Sequence, residues 1–461
     1  MIKFGTDGWR AVIGEEFTFQ NLRIVSQAIA DYLKKNNLAN RVVVGYDRRF
    51  LSEEFAKDVS CVFAGNGVKV VLSDTSIPTP VVSFHSLYRG YGLGIMITAS
   101  HNPAKFNGLK IKTNEGGAAD KTITDSVERL LYRRKPKWMD FNTAIKERII
   151  KISSLTKDYE EFLKRFVDID RIKKLQLKIL VDNMYGVGDK FIERVISSKR
   201  IKIDYIHNEF NPSFGGIPPE PIRENLLVLL EKVKREGYDF GVALDGDADR
   251  LALINRKGDF IDAQVLLPLL AIHMIKNRGS SLGIGKTVVG SNLIDEVAMS
   301  FGVPCYETPV GFKYISNLFK EKLISIGGEE AGGIGFKDYI PERDGTASLI
   351  MLLEFMAYEG KDLEGLLNGM WRKYGRWFYK RVALHTANLR KHSHFSLPKD
   401  LLGRRIERVD RKDGIKLITK DSWLMLRKSG TEPIVRIYAE SRSLKETLEL
   451  IELGKKLFKK S

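Results

Sequence analysis

Four short loops concentrate the side chains that could do chemistry. Asp245-Gly246-Asp247-Ala248-Asp249-Arg250 places three carboxylates at every second position after an apolar stretch. Such a group repels itself unless a cation or protons compensate, and Gly246 and Ala248 keep the loop small enough for its oxygens to converge. Ligation by few groups, all of them oxygen, suits Mg²⁺ with a phosphate oxygen completing the shell; the spacing does not fit the twelve-residue calcium loop. An exposed acidic turn is the plainer reading of the same residues. Arg250 adds a planar fork for a phosphate or for one of the aspartates. Thr98-Ala-Ser100-His101-Asn102-Pro103 follows the apolar run 93–97, so Ser100 falls at the carboxyl end of a strand, where α/β domains place ligands. Ser100 there could carry or attack a transferring group beside His101, or lie in a surface turn imposed by Asn102-Pro103. No G-x-S-x-G elbow is present, which disfavours acyl-transfer hydrolysis.

Two further loops are glycine-bearing and charged. Gly327-Gly-Glu329-Glu330-Ala331-Gly-Gly333 follows a short strand; its adjacent glutamates need hydroxyl donors or water, as a solvated turn would also provide. Arg427-Lys-Ser429-Gly430-Thr431-Glu-Pro433 combines a guanidinium, two hydroxyls and a glycine whose backbone can approach an anion closely. Arg436 either extends this grip or is surface charge.

The elements that must position these loops repeat. The runs 41–47, 178–183 and 287–292 are each a branched apolar strand entering a polar loop, followed by a helical stretch and a second strand at 68–72, 201–206 and 303–306. Strands so continuously apolar are expected to be covered on both faces, which predicts three α/β domains in series. The charged region 133–164 reads as an interdomain turn and long helix. Beyond residue 372 short alternating strands and a terminal helix from about residue 443 predict a smaller α+β domain. The expected boundaries are 1–157, 158–260, 261–376 and 377–461.

With 461 residues, 43% hydrophobic and 29% charged, the chain fits a multidomain globular protein and excludes fibrous, disordered and disulfide-scaffold classes. Its longest apolar stretches, such as 265–272, are about half of what a bilayer crossing needs, and no export signal is visible. Cys61 and Cys305 sit in unrelated contexts, so a reduced, cytoplasmic compartment is expected. The formal charge of +17 invites a nucleic-acid reading, but the basic residues alternate with acids in helical segments and form no basic arm. Anionic small substrates or a solvated basic surface account for the excess, and neither nucleic acid nor membrane is an expected partner.

TASHNP at 98–103, DGDADR at 245–250, GGEEAGG at 327–333 and RKSGTEP at 427–433 together resemble, in order and spacing, the α-D-phosphohexomutase family, as does FGTDGWR at 4–10. The resemblance spans essentially the whole chain and is strongest to bacterial and archaeal phosphoglucomutases and phosphomannomutases. It implies a heart-shaped fold of three similar α/β domains followed by a smaller α+β C-terminal domain. It further implies a phosphoserine at Ser100 with His101 adjacent, and Mg²⁺ held by Asp245, Asp247, Asp249 and the Ser100 phosphate. Arg10, Lys110 and Arg250 would be cations near the transferring group, with Lys110 a candidate for proton transfer. Glu329 would receive sugar hydroxyls, Thr308 and Lys313 would orient the sugar phosphate, and Arg427, Ser429, Gly430 and Thr431 would clamp the idle phosphate.

The implied reaction exchanges hexose 1-phosphate and 6-phosphate through a hexose 1,6-bisphosphate, in a monomer or homodimer without an obligatory protein partner. Ala331 stands where the family commonly has serine, removing one hydroxyl contact, and the EE-x-GG form with PERDG at 341–345 looks more like phosphoglucomutases. Glucose phosphate is therefore expected first, mannose phosphate second and glucosamine phosphate third. Among other classes, a phosphatase would leave the second phosphate grip unused, a kinase lacks its nucleotide loops, and a sugar-phosphate sensor has no need of an intact serine and three aspartates.

Overall fold

Strand formation follows the apolar runs. The computed structural model describes every residue except 1, 6, 386–396, 429–433 and 460–461. In the first sheet, β1 (Trp9–Val12), β2 (Arg41–Tyr46), β3 (Lys69–Ser73), β4 (Leu93–Ile97), β5 (Phe106–Thr113) and β6 (Ile150–Ser153) lie in the order β1-β5-β4-β2-β3-β6. Val42, Val43 and Val44 are fully buried, as expected of a central strand sandwiched between helices. The helix Phe19–Lys35 begins at Thr18, whose hydroxyl accepts the Asn21 N–H at 3.2 Å.

The second sheet contains β7 (Leu177–Asp182), β8 (Ile201–Ile206), β9 (Phe240–Leu244), β10 (Leu251–Asn255) and β11 (Phe260–Ile261). The third contains β12 (Gly283–Thr287), β13 (Cys305–Thr308), β14 (Ile324–Gly328) and β15 (Ile334–Phe336). The three sheets share one wiring: β5-β4-β2-β3, β10-β9-β7-β8 and β15-β14-β12-β13 correspond in order and direction. In each repeat the third strand turns back antiparallel into the fourth. The loops at those three reversals are 98–105, 245–250 and 329–333. The repeat legible in the sequence therefore brings the serine, the aspartates and the glutamate to equivalent topological positions.

The fourth sheet is antiparallel, with β16 (Phe378–His385), β19 (Arg408–Asp410), β20 (Ile415–Ile418), β21 (Ser422–Lys428) and β22 (Ile434–Ser441) in the order β16-β22-β21-β20-β19; the two-residue strands β17 (Asp400–Leu401) and β18 (Arg404–Arg405) pair separately. Leu424, Leu426, Val435 and Ile437 on one face pack on the terminal helix Leu444–Lys459. This is the α/β architecture of three similar domains and a smaller fourth that the sequence predicts.

Three local expectations differ. The third repeat's first strand is β12, Gly283–Thr287, and the run 287–292 expected to form it is instead a turn in which the Gly290 N–H donates to Thr287 O at 2.7 Å. The region 133–164 is not a turn and one long helix: Asp140 caps a short helix, Phe141–Lys146, by accepting the Thr143 N–H at 2.9 Å, and β6 then pairs parallel with β3 before the helix Thr156–Phe166. The alternation Ile150-Lys-Ile-Ser153 is enough for an edge strand once β3 offers a free side. Gly327 and Gly328 belong to β14 instead of the loop. A Cβ on Gly327 would lie 2.6 Å from the Ile315 side chain, so glycine here allows close helix-sheet packing.

Candidate active site

The serine and aspartate loops meet at Ser100. Its backbone is left-handed, φ 52°, a conformation uncommon for a side-chain-bearing residue, and its N–H donates to Thr98 Oγ1 at 2.8 Å. Its hydroxyl donates to Asp245 Oδ2 at 3.0 Å, and His101 Nδ1 lies 3.4 Å from the same hydroxyl oxygen. Burial is the largest influence on His101; it and the surrounding Arg250, Arg10, Lys110 and Arg343 press the imidazole pKa well below its ordinary value.

Asp245, Asp247 and Asp249 are fully buried, with one oxygen from each gathered within 4.8 Å. Ala248, at φ 56°, bends the loop so that the N–H groups of Asp249 and Arg250 donate to Asp245 Oδ1 at 3.0 and 3.1 Å. Thr79 adds a hydroxyl at 2.5 Å to Asp247 Oδ2. Burial, then the Asp249 and Asp247 charges, push the Asp245 carboxyl well above the usual range. Burial acts the same way on Asp249, but Arg343, Lys110 and Arg250 outweigh it and hold that carboxyl below its ordinary value. Asp247 Oδ1 and Asp249 Oδ1 are buried without a hydrogen-bond partner. Unpartnered carboxylate oxygens in so small a space fit a hard divalent cation, which would satisfy them where the protein does not.

Lys110 projects from the middle of β5 and its ammonium reaches Asp247 at 2.7 Å, Asp7 at 2.8 Å and Asp249 at 2.9 Å. Burial opposes its charge, yet Asp247, Asp249 and Asp7 together raise its pKa. This is the direction that keeps an acid protonated, opposite to what a lysine base needs. Arg10 donates to Asn102 Oδ1 at 2.7 Å across the serine loop, and Arg250 Nε lies 3.8 Å from Asp249.

The sugar-loop candidate Glu329 joins through a residue to which the sequence reading gives no role in the site. Arg343 donates to Glu329 Oε2 at 2.7 Å, pairs with Asp249 at 3.0 Å and also meets Asp7, tying the first three domains together. Burial raises the Glu329 carboxyl pKa, and Arg343 only partly counters it. PERDG is visible as a string, but nothing in local spacing says that its arginine, and not its acids, faces the site. Asp7, Thr79 and Arg49 escape a sequence reading for the same reason: their partners are distant in the chain. Lys112, two residues along β5 from Lys110 and on the same face, pairs with Glu342 at 2.5 Å.

Other candidates stand apart. The Thr308 hydroxyl donates to Pro309 O at 3.0 Å, and Lys313 Nζ lies 5.3 Å from the Tyr314 ring centre; neither contact reaches the three-loop cluster. Arg427, near the end of β21, pairs with Asp413 at 2.9 Å. Ser429, Gly430 and Thr431 lie outside the described residues.

Fold and site together define a phosphoryl-transfer enzyme built on four domains. Profiles of phosphoglucomutase/phosphomannomutase match the chain in register: α/β/α domain I over residues 1–137, domain II over 157–258, domain III over 262–374 and the C-terminal domain over 384–452. A phosphoglucomutase/phosphomannomutase of Thermococcus kodakarensis is 33% identical, the match covering 99% of this chain and 98% of that one. A phosphoglucosamine/phosphogalactosamine mutase of Sulfurisphaera tokodaii is 30% identical over 98% of each. A crystal structure of a Thermus thermophilus protein assigned as a phosphomannomutase superimposes with a TM-score of 0.89 at 33% identity, covering 99% of both chains. The chain belongs to the α-D-phosphohexomutase family, and its reaction is of the reversible phosphohexomutase type. Among the described residues no helix is long and apolar enough to cross a membrane.

Proposed function

We propose that the protein interconverts hexose 1-phosphate and hexose 6-phosphate through a phosphoserine at Ser100 and a hexose 1,6-bisphosphate. The observation that carries this reading is Ser100 Oγ at 3.0 Å from Asp245 with the cations Arg250, Arg10, Lys110 and Arg343 grouped around its neighbour His101. In the forward half-reaction a sugar hydroxyl attacks the phosphorus, the Ser100 Oγ–P bond breaks and the new sugar O–P bond forms. The hydroxyl proton passes to the cluster, where the neutral imidazole of His101 is placed to take it, while Lys110, already an ammonium, can act only as an acid that returns one. Arg10, Lys110 and Arg250 lower the cost of charge on the transferring oxygens. Asp245, Asp247 and Asp249 would hold Mg²⁺, which supplies Lewis-acid neutralisation of that charge.

The bisphosphate must then present its other phosphate to Ser100, so one cleft accepts two orientations. Glu329 receives sugar hydroxyls, Thr308 and Lys313 orient the sugar phosphate, and Arg427 with Ser429, Gly430 and Thr431 clamps whichever phosphate is idle. The functional units run 1–157, 158–260, 261–376 and 377–461. The EE-x-GG form of the sugar loop with PERDG at 341–345 makes glucose phosphate the preferred substrate, and mannose phosphate is the second because Ala331 offers no hydroxyl to read epimers sharply. The Thermococcus kodakarensis relative, named for both sugars, supports that pairing; the Sulfurisphaera tokodaii relative, named for amino sugars, makes glucosamine phosphate the necessary competitor.

Initial rates on glucose, mannose and glucosamine 1-phosphates, with Mg²⁺ and bisphosphate supplied, test the reading. The expected order of kcat/KM is glucose at or above mannose, both above glucosamine; a decisive preference for glucosamine overturns the substrate assignment. Ser100→Ala removes turnover without loss of fold, and peptide mapping of active enzyme finds the phosphate on Ser100. Catalytic phosphate confined to another residue, or phosphate release without isomer exchange, refutes the mechanism.

A further inference from the structure

The backbone of the Ser100 loop hangs on one side chain. Arg49, at the end of the polar turn after β2, is 2% exposed. Its Nη2 donates to the carbonyls of Ser100 and Asn102, both at 2.6 Å, and its Nη1 to those of Pro103 at 3.0 Å and Phe106 at 3.1 Å. Behind it, Nε faces Asp47 Oδ2 at 3.2 Å, and the guanidinium lies 4.8 Å from the Phe214 ring centre of the second domain. Asp47 is itself held by the hydroxyls of Thr98 at 2.6 Å and Ser52 at 2.7 Å, and Thr98 accepts the Ser100 N–H. Arg49 touches neither the aspartates of the 245–250 loop nor Glu329 through any hydrogen bond among the described residues.

We infer that Arg49 is a positioning residue for phosphoryl transfer, one that selects the left-handed conformation of Ser100; the inference rests on the phosphoserine reading above. Two physical consequences support it. Carbonyls gathered by a fully buried guanidinium point into the protein, so the negative ends of those peptide dipoles are turned away from an arriving phosphate. The φ of 52° at Ser100 is uncommon for a non-glycine residue and persists only where its surroundings over-determine it; four carbonyl bonds at fixed fork angles do that. Lysine carries the same charge but offers its three donors from one point and cannot span four carbonyls. The arginine's role is therefore geometric, and charge alone does not replace it.

The test compares Arg49→Lys and Arg49→Ala in the full chain with wild type, using glucose 1-phosphate as substrate and glucose 1,6-bisphosphate with Mg²⁺ as phosphoryl donor. Expected for both variants is a fall in kcat of about 100-fold with KM within about threefold, because the sugar and idle-phosphate contacts lie elsewhere. Phosphate uptake at Ser100, followed by intact mass, should slow in parallel. Added guanidinium chloride at low millimolar concentration should restore about tenfold of the Arg49→Ala loss, by refilling the cavity with the same fork. Arg278→Met, which breaks a partly buried ion pair with Glu354 outside the site, is the stability control and should leave kcat near wild type. Activity of the Arg49→Lys variant within about threefold of wild type overturns the inference, as does a loss expressed in KM alone or a kcat loss that the stability control reproduces. If the wild type itself takes no phosphate at Ser100, the phosphoserine reading fails, and that result is distinguishable from equal phosphorylation of wild type and variants, which sinks only the role of Arg49.

Discussion

At the scale of single residues, the site is an arrangement of opposite charges that no local pattern could have balanced. Lys110 alone is shared by Asp7, Asp247 and Asp249, while Arg343 is shared by Asp7, Asp249 and Glu329. Removing one partner from a buried set exposes the rest to an uncompensated desolvation cost. Asp249→Asn should therefore do more than delete one proposed Mg²⁺ ligand. It keeps the volume, leaves Lys110 and Arg343 each short of a counter-charge, and is expected to weaken Mg²⁺ affinity by more than about tenfold, since even groups that merely support metal ligands contribute that much. Calorimetric titration of the purified protein with Mg²⁺ measures it; unaltered affinity would move the cation site elsewhere.

Elements set distances that residues alone cannot. The serine loop and the aspartate loop are both strand reversals, and they approach so closely that a Cβ on Gly246 would lie 2.5 Å from Ser100 O. Gly246→Ala must push the two loops apart. Overpacking of this kind costs about 1–3 kcal/mol, and the larger expected effect is on kcat, because the displaced atom belongs to the loop of the proposed phosphoserine. Circular dichroism melts and steady-state kinetics on the same preparation separate the two; a stability loss with intact kcat would show that the loops tolerate the shift.

A second element-scale expectation concerns the turn after β8. His207 pairs with Asp182 Oδ1 at 2.9 Å, and that hydrogen bond raises the imidazole pKa above its ordinary value despite partial burial. Because the folded-state value exceeds the unfolded one, the protonated pair stabilises fully below about pH 6.5 and the benefit disappears as pH climbs through the folded-state value. His207→Gln should accordingly lower Tm more at about pH 5.5 than at about pH 9. An equal loss at both would assign the histidine a packing role only.

For the whole molecule, buried polar staples join the second and third domains. Glu354, on the helix Gly345–Glu359, accepts from His273 at 2.7 Å, from Arg278 at 2.8 Å and from the Asp168 N–H at 2.6 Å. Tyr159 and Tyr339 both donate to Asp344, at 2.5 and 2.7 Å, across the same region. Glu354→Gln leaves the arginine without its counter-charge and should cost about 3 kcal/mol. A shifted urea midpoint with unchanged kcat is the expected result. Loss of activity at full stability would mean that the staple transmits to the site.

What the amino-acid order determined by itself was whatever rests on neighbours in the chain: the apolar strands, the three-fold repeat, the reversal loops with Ser100, the aspartates and Glu329, and the smaller last domain. Strand periodicity and the convergence of Asp245, Asp247 and Asp249 are short-range properties, so they are readable over about ten residues. The tertiary structure alone decided that Arg49, Arg343, Asp7 and Thr79 belong with those loops, that β6 and not a long helix follows residue 146, and that Lys110 is held as an ammonium. Each of these depends on partners brought together from sequence separations as large as the 336 residues between Asp7 and Arg343. Hydrogen bonds and ion pairs act over a few ångströms of space, and the chain order contains no local trace of a contact that exists only after the sheets have packed.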